Sequence, residues 1–234
     1  MVVNDLTRGE IDELNNNMDS FQRYINSYCK DQNITLSQAT NSFLRFWAKH
    51  IIFMNYLKEY DYIKWHCRIS GIISDMFFFS ASIILNQKRY MYLNLRSFIE
   101  SFMRLLLNEE IENGQITRKA FEKFRLVYKN DILNADDFSI IKSVYQESCV
   151  AIHNPLFEGN DLAKGIRDCL EYRCGAGGRY TVMGKNFNNV IAVTSIFIKL
   201  LIYKYKDQIN GAFHRRKKLM AKLVGDKMVE SLSS

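Results

Sequence analysis

An arginine and a glutamate one helical turn apart, Arg96 and Glu100, stand in the run Leu93-Asn-Leu-Arg-Ser-Phe-Ile-Glu-Ser-Phe-Met-Arg-Leu-Leu-Leu107. On a solvated helix such a pair is a surface ion pair worth a few tenths of a kcal/mol, roughly 0.2–0.5. Here Leu95, Phe98, Ile99, Phe102 and Leu106 make one apolar face, while Leu93, Met103 and Leu107 bracket the pair on its own face. A helix that is apolar nearly all round is buried, and buried charges must be paired or put to use. His153 is the natural third member. It closes the run Ile140-Ile-Lys-Ser-Val-Tyr-Gln-Glu-Ser-Cys-Val-Ala-Ile-His153, two residues before Pro155. A helix C-terminus favours a protonated imidazole, and proline forces the chain out of the helix at that point. A histidine so placed can move protons near neutral pH; it can equally serve as a C-terminal cap or a core residue.

Other constellations carry less chemistry. Arg45 and His50 repeat an Arg-x4-His spacing, but Arg45 lies among Phe43, Leu44, Phe46 and Trp47 with no acidic residue four positions on. Cys169 and Cys174 are the closest cysteine pair, and zinc needs about four ligands. The loop Gly175-Ala-Gly-Gly178 lacks the lysine and the strand-to-helix setting of a phosphate-binding P-loop, so it reads as a connection. No metal and no cofactor are implied. Arg215, Arg216, Lys217 and Lys218 form a basic run. The stretch 199–222 around it has eight basic residues against Asp207 alone. Such density fits a polyanion footprint and also fits a solvated helix face.

The elements that must position these residues are helices. The chain of 234 residues holds one proline and 11 glycines, too few for the tight turns of sheets and barrels. The expected class is therefore all-α. A capping box at Thr7 to Glu10 opens a helix running to about Lys30. A second helix spans about Leu36 to Tyr60. Asp61 caps a third reaching about Gln87, and Lys88-Arg89 marks a break or a continuation into a fourth that stops near Asn113-Gly114. Thr117 opens a shorter helix to about Tyr128, and Asp136 or Asp137 caps the helix that carries His153. The irregular, glycine-rich stretch 156–185 holds one short helix near Asp161 to Tyr172. A long helix follows Asn186, and 213–234 continues as a basic, weakly amphipathic helix. The division expected is an N-terminal helical pair (1–60), a helical bundle (61–210) and a tail helix (211–234).

The net charge of +7 and pI near 9.1 suit contact with phosphates without requiring it. Five cysteines, an odd number without a C-x-x-C pair, read as reduced thiols of a cytoplasmic protein. The N-terminus has neither the basic start nor the apolar run of a signal peptide. Two apolar stretches, 69–85 and 190–203, carry Asp75 and Lys199 respectively and read as buried helices rather than membrane spans.

Arg-x3-Glu on a buried helix with a histidine ending a later one resembles the triad of the HEPN-type anticodon nucleases of bacterial phage defence. The flanking patterns, Leu-Arg96-Ser-Phe-Ile-Glu100 and Tyr145-x2-Ser148-x4-His153, are similar to those of HEPN-like helical domains, over about residues 65 to 205. The resemblance implies a HEPN-like bundle and a metal-independent endoribonuclease, with tRNA among the candidate substrates. It implies Arg96, Glu100 and His153 as the catalytic set and Ser148 in support; the basic density at Arg215, Arg216, Lys217 and Lys218 is the expected RNA-binding segment. Such an enzyme would be the toxic effector of an antiphage or toxin–antitoxin system. An ATPase, a reverse transcriptase or an antitoxin would restrain it, and it would form a homodimer with no membrane partner. The chain departs from that type in having no fused ATPase and an extra short helix at 117–128. The competing reading is a non-catalytic helical module that binds a partner protein or nucleic acid, in which Arg96 and Glu100 only fix helix register.

Overall fold

The computed structural model describes residues 2–59, 66–108, 118–128, 132–153, 163 and 181–233. Those residues form an all-α protein with no strand. The helices, in chain order, are α1 (Val2–Asp31), α2 (Gln38–Glu59), α3 (His66–Ile84), α4 (Lys88–Leu107), α5 (Arg118–Tyr128), α6 (Ala135–His153), α7 (Thr181–Lys204), α8 (Lys206–Ala212), α9 (Lys217–Val224) and α10 (Asp226–Ser233).

The boundaries differ from the sequence expectations in physically readable ways. α1 begins at Val2, so Thr7 lies inside the helix instead of capping it. α2 is opened by Ser37, whose hydroxyl accepts from the Thr40 amide at 3.0 Å, the bond that relieves an orphan donor of the first turn. α4 stops at Leu107, short of Asn113-Gly114, because Asn108 enters the left-handed region at φ 54° and turns its amide back to Arg104 and Leu105. Asn86, at φ 57°, makes the break between α3 and α4. Asparagine tolerates this conformation, and in a glycine-poor chain it does the work of a C-terminal glycine. Asn134, rather than Asp136 or Asp137, caps α6, with Oδ1 accepting from the Asp137 amide at 2.7 Å. The two aspartates occupy the first turn, where the helix dipole favours negative charge. α7 starts at Thr181, five residues before Asn186. Asp61, Asn113-Gly114, Thr117, Pro155, the Cys169–Cys174 pair, Gly175 to Gly178 and most of the stretch 161–172 lie outside the described residues.

The chain divides into two compact units, one of residues 1–73 with 194–234, the other of residues 74–193. In the first, α9 packs on both α1 and α2. Leu219, Met220 and Leu223 are buried there, and Phe213 stacks on Phe53 at 5.7 Å. The C-terminal segment is thus not one continuous tail helix. Past α8 it is two short helices, α9 and α10, set off where Phe213 goes into the core and where Gly225 takes φ 97°. In the second unit the closest-packed pair is α4 with α6, and α5 leans on α4. Nine residues of α4 are buried, from Met91 to Leu106, as the apolar run predicts. The window 187–204 of α7 is long and apolar enough to cross a membrane by length and composition, and just over half of it is buried inside the protein. Val190, Val193, Phe197, Leu200 and Leu201 supply that apolar content as core residues.

Candidate active site

Two rows of side chains meet where α4 packs on α6. Residues four apart stack along one side of a helix, so α4 presents Arg96, Glu100 and Arg104 in line, and α6 presents Tyr145, Cys149 and His153. Arg96 Nε donates to Glu100 Oε1 at 2.9 Å. Its Nη1 lies 3.2 Å from His153 Nε2. A guanidinium has donors only, so the imidazole Nε2 accepts and the ring proton resides on Nδ1. Fifty-seven residues separate these two side chains in sequence. The three members of the candidate triad are brought together.

Two further residues complete the site. Tyr145 donates its hydroxyl to the same Glu100 Oε1 at 2.8 Å, and its ring carries the Arg96 guanidinium at 5.7 Å. Phe121 of α5 packs against that ring at 4.8 Å. α5 is in turn fastened to the end of α4 by Tyr128, whose hydroxyl donates to the Leu106 carbonyl at 2.7 Å. Burial, followed by the hydrogen bond to Glu100, holds the Tyr145 phenol far above its ordinary range, so it remains a donor. The Glu100 bond also raises the proton affinity of Arg96. Arg104 lies 3.9 Å from Glu100 Oε2, and its Nη2 is buried without a hydrogen-bond partner. Two guanidiniums therefore share one carboxylate, and the cluster carries one positive charge in excess. Side-chain exposure is 19% for both arginines and 14% for Glu100, while His153 stands exposed at the helix end. This arrangement is screened from water on the α4 side and open at the histidine.

The signal for Tyr145 and Arg104 was present in the spacing: each continues an i, i+4, i+8 row through a residue already singled out. Ser148, the expected supporting residue, does not belong to the site. It is fully buried and donates to the Val144 carbonyl at 2.8 Å.

The Arg45–His50 spacing does not assemble. Arg45 is exposed while His50 is buried, donating Nδ1–H to the Phe46 carbonyl at 2.8 Å. Burial pushes its pKa down to about 4. The basic run is split in its surroundings. Arg216 is half-buried, with Nε 2.6 Å from Glu10 Oε1 and its guanidinium 5.8 Å over the Tyr56 ring. Arg215, Lys217 and Lys218 are exposed at the start of α9. Among the described residues no three His, Cys, Asp or Glu side chains gather as a metal site. No protein-family model matches the chain, and no curated protein or solved structure is significantly similar to it.

Proposed function

We propose that the α4–α6 site is the centre of a HEPN-like, metal-independent endoribonuclease, a toxic effector acting on cytoplasmic RNA. The observation that carries this reading is the contact of Arg96 Nη1 with His153 Nε2 at 3.2 Å, with Glu100 and Tyr145 fixing the guanidinium from behind. Glu100 takes Nε and His153 takes one N–H of Nη1, which leaves the other N–H of Nη1 and both of Nη2 to meet a phosphate. In the proposed reaction the bound phosphate draws Arg96 Nη1 off His153, and the freed Nε2 removes the proton from a ribose 2′-OH. The O2′–P bond forms, the P–O5′ bond breaks, and the 5′ oxygen leaves with a proton taken from water, to which His153 returns the one it removed, giving a cyclic phosphate and a 5′-OH. Arg96 stabilises the charge on the phosphorane oxygens, and the excess positive charge shared with Arg104 favours the phosphodiester in the ground state. Tyr145 positions Glu100, and Glu100 positions Arg96. The exposed Arg215, Lys217 and Lys218 add phosphate contacts elsewhere on the chain. A partner that restrains toxicity, and a homodimer, belong to the same reading by resemblance alone.

The test is cleavage of RNA by the purified chain, with product ends analysed. Arg96→Ala and His153→Ala each abolish cleavage while helical circular dichroism and melting persist, and EDTA leaves the wild type active. If both variants stay folded and still cut, the site is wrongly assigned. Changing Arg215, Lys217 and Lys218 to Gln reduces the slope of log K against log salt by at most about 2, near 0.7 per charge for single strands. Turnover at saturating RNA stays constant, since uniform binding acts on KM.

A further inference from the structure

In the free chain the α4–α6 site is not fully paired. Glu100 Oε1 accepts from both Arg96 Nε and the Tyr145 hydroxyl, at 2.9 and 2.8 Å. Among the described residues its Oε2 has Arg104 Nη2 for a neighbour, at 3.9 Å, about 1 Å beyond a charge-assisted hydrogen bond. That Nη2 is buried and has no hydrogen-bond partner among the described residues. A buried charged donor left unmade is costly, and such orphans in native structures mark strain, an ion or a working role. Across the α3–α4 seam stands a second carboxyl, Asp75, bonded by the Ser97 hydroxyl and 3.5 Å from Ser101 Oγ. Its charge and that of Glu100 repel, so Oε2 gains nothing by turning that way. The charges point in the same direction. Two guanidiniums and one carboxylate leave one positive charge unmatched, and a single added anion would resolve both the excess and the orphan donor.

We infer that Arg104 is a positioning residue, taking the Glu100 carboxylate over from Arg96 when a phosphodiester engages the site. This rests on the ribonuclease reading above and adds how the substrate frees its arginine. A guanidinium grips phosphate through two parallel N–H bonds, and the edge formed by Arg96 Nε and Nη2 has its Nε on Glu100 in the free chain. As the phosphate takes that edge, Tyr145 keeps its bond to Oε1 and serves as the pivot. Oε2 turns about it and closes the 3.9 Å gap to Arg104 Nη2. Every charge is then paired, Arg96 with the phosphate and Arg104 with Glu100. The phosphorane carries more charge than the diester it forms from, so an Arg96 released from its carboxylate favours the transition state over the ground state. The hand-over therefore acts on kcat more than on KM.

The experiment compares RNA cleavage and melting of the full chain carrying Arg104→Gln or Arg104→Lys. Arg104→Gln lowers kcat about tenfold, the low end for a hydrogen bond to a charged group, and by a larger factor than it raises KM. Its melting temperature does not fall, because the donor removed had no partner. Arg104→Lys keeps a charged donor and recovers most of the lost kcat. A nitrogen-15 spectrum of the wild type gives a readout that needs no variant. Adding a 2′-O-methyl RNA 12-mer, which has no 2′-OH to attack and stays uncut, shifts the Arg104 side-chain N–H signals and slows their exchange with water. If RNA is cut but Arg104→Gln keeps the wild-type kcat, or the Arg104 signals do not move with the 12-mer bound, the hand-over falls and the nuclease stands. A lower melting temperature with kcat and KM changed equally makes Arg104 a structural residue and overturns the inference. If the wild type does not cut RNA, the nuclease reading falls and takes the hand-over with it.

Discussion

Among the described residues, an arginine–glutamate pair resting on a tyrosine is found in each unit of the molecule. In the first, Arg216 meets Glu10 at 2.6 Å over Tyr56; in the second, Arg96 meets Glu100 at 2.9 Å over Tyr145. The guanidinium-to-ring distances are 5.8 and 5.7 Å, so pairing and stacking alone do not distinguish them. What differs is the tyrosine and the histidine. Tyr145 gives Glu100 a hydrogen bond as well as lending Arg96 its ring, and His153 closes on the far side of the arginine. Tyr56 supplies its ring, and the pair ties α1 to the turn before α9. An arginine clamped by a carboxylate is a structural device. It becomes a candidate catalytic one when its remaining N–H groups are aimed at a proton carrier on an open surface.

The sharpest way to break this comparison is to change each arginine to lysine. Lysine keeps the charge but loses the planar fork and the stacking. Arg96→Lys lowers the cleavage rate by about 10²-fold or more, the scale of losing one preorganised donor at a developing oxyanion. Arg216→Lys leaves turnover intact and costs stability of about 1 kcal/mol or less, because the pair is partly exposed. Rates and melting temperatures of both variants check this, and equal rate losses would erase the distinction between the pairs.

The tyrosines give a smaller contrast. Tyr145→Phe keeps the ring under Arg96 and deletes only the donor to Glu100. A hydrogen bond to a charged group contributes about 1.5–3 kcal/mol, and only a part of that reaches the transition state through two positioning residues. The expected loss is about tenfold in kcat with KM little changed. Tyr56→Phe leaves kcat as it was. A Tyr145→Phe variant with wild-type kcat would show that Glu100 is held well enough by Arg96 and Arg104.

How much of this could be read from the chain depended on the kind of signal. Arg96, Glu100 and His153 were legible because charge inside an apolar run, and a histidine just before proline, are local patterns. So was the all-α class, from the scarcity of glycine and proline. The end of α4 was not, since Asn108 takes the left-handed conformation that glycine would announce, and asparagine is also common in ordinary loops. Arg216 read as part of a basic run because Glu10, its partner, lies over two hundred residues away. Tyr145 and Arg104 sat in plain i, i+4, i+8 rows, but such rows acquire meaning only when a second helix brings another row against them. The broken C-terminal helix had the same cause: Phe213 leaves the helical path for a core that is assembled from α2.

Carboxylates surround both pairs, Glu13 and Glu59 near Tyr56 and Asp75 near Glu100, and Asp75 offers the smallest of the three tests. Burial, offset in part by the Ser97 and Ser101 hydroxyls and reinforced by Glu100, pushes its pKa up to about 6. An unfolded aspartate titrates near 3.9. Between about pH 4 and pH 6 the folded chain therefore binds the extra proton, so stability from this group is full below about pH 4, falls as pH rises to about 6, and is flat above. Water reaches part of the carboxyl, which limits the effect at neutral pH to about 1 kcal/mol, or about 2–4 °C in melting temperature for a chain of this size. Asp75→Asn keeps hydrogen-bonding groups toward Ser97 and Ser101 and removes the titration. Its melting temperature should exceed that of the wild type at pH 7, with the difference closing as the pH is lowered to 4. A gap that stays constant across that range would mean the carboxyl is as well solvated folded as unfolded, and the seam beside Glu100 would then be wetter than its burial implies.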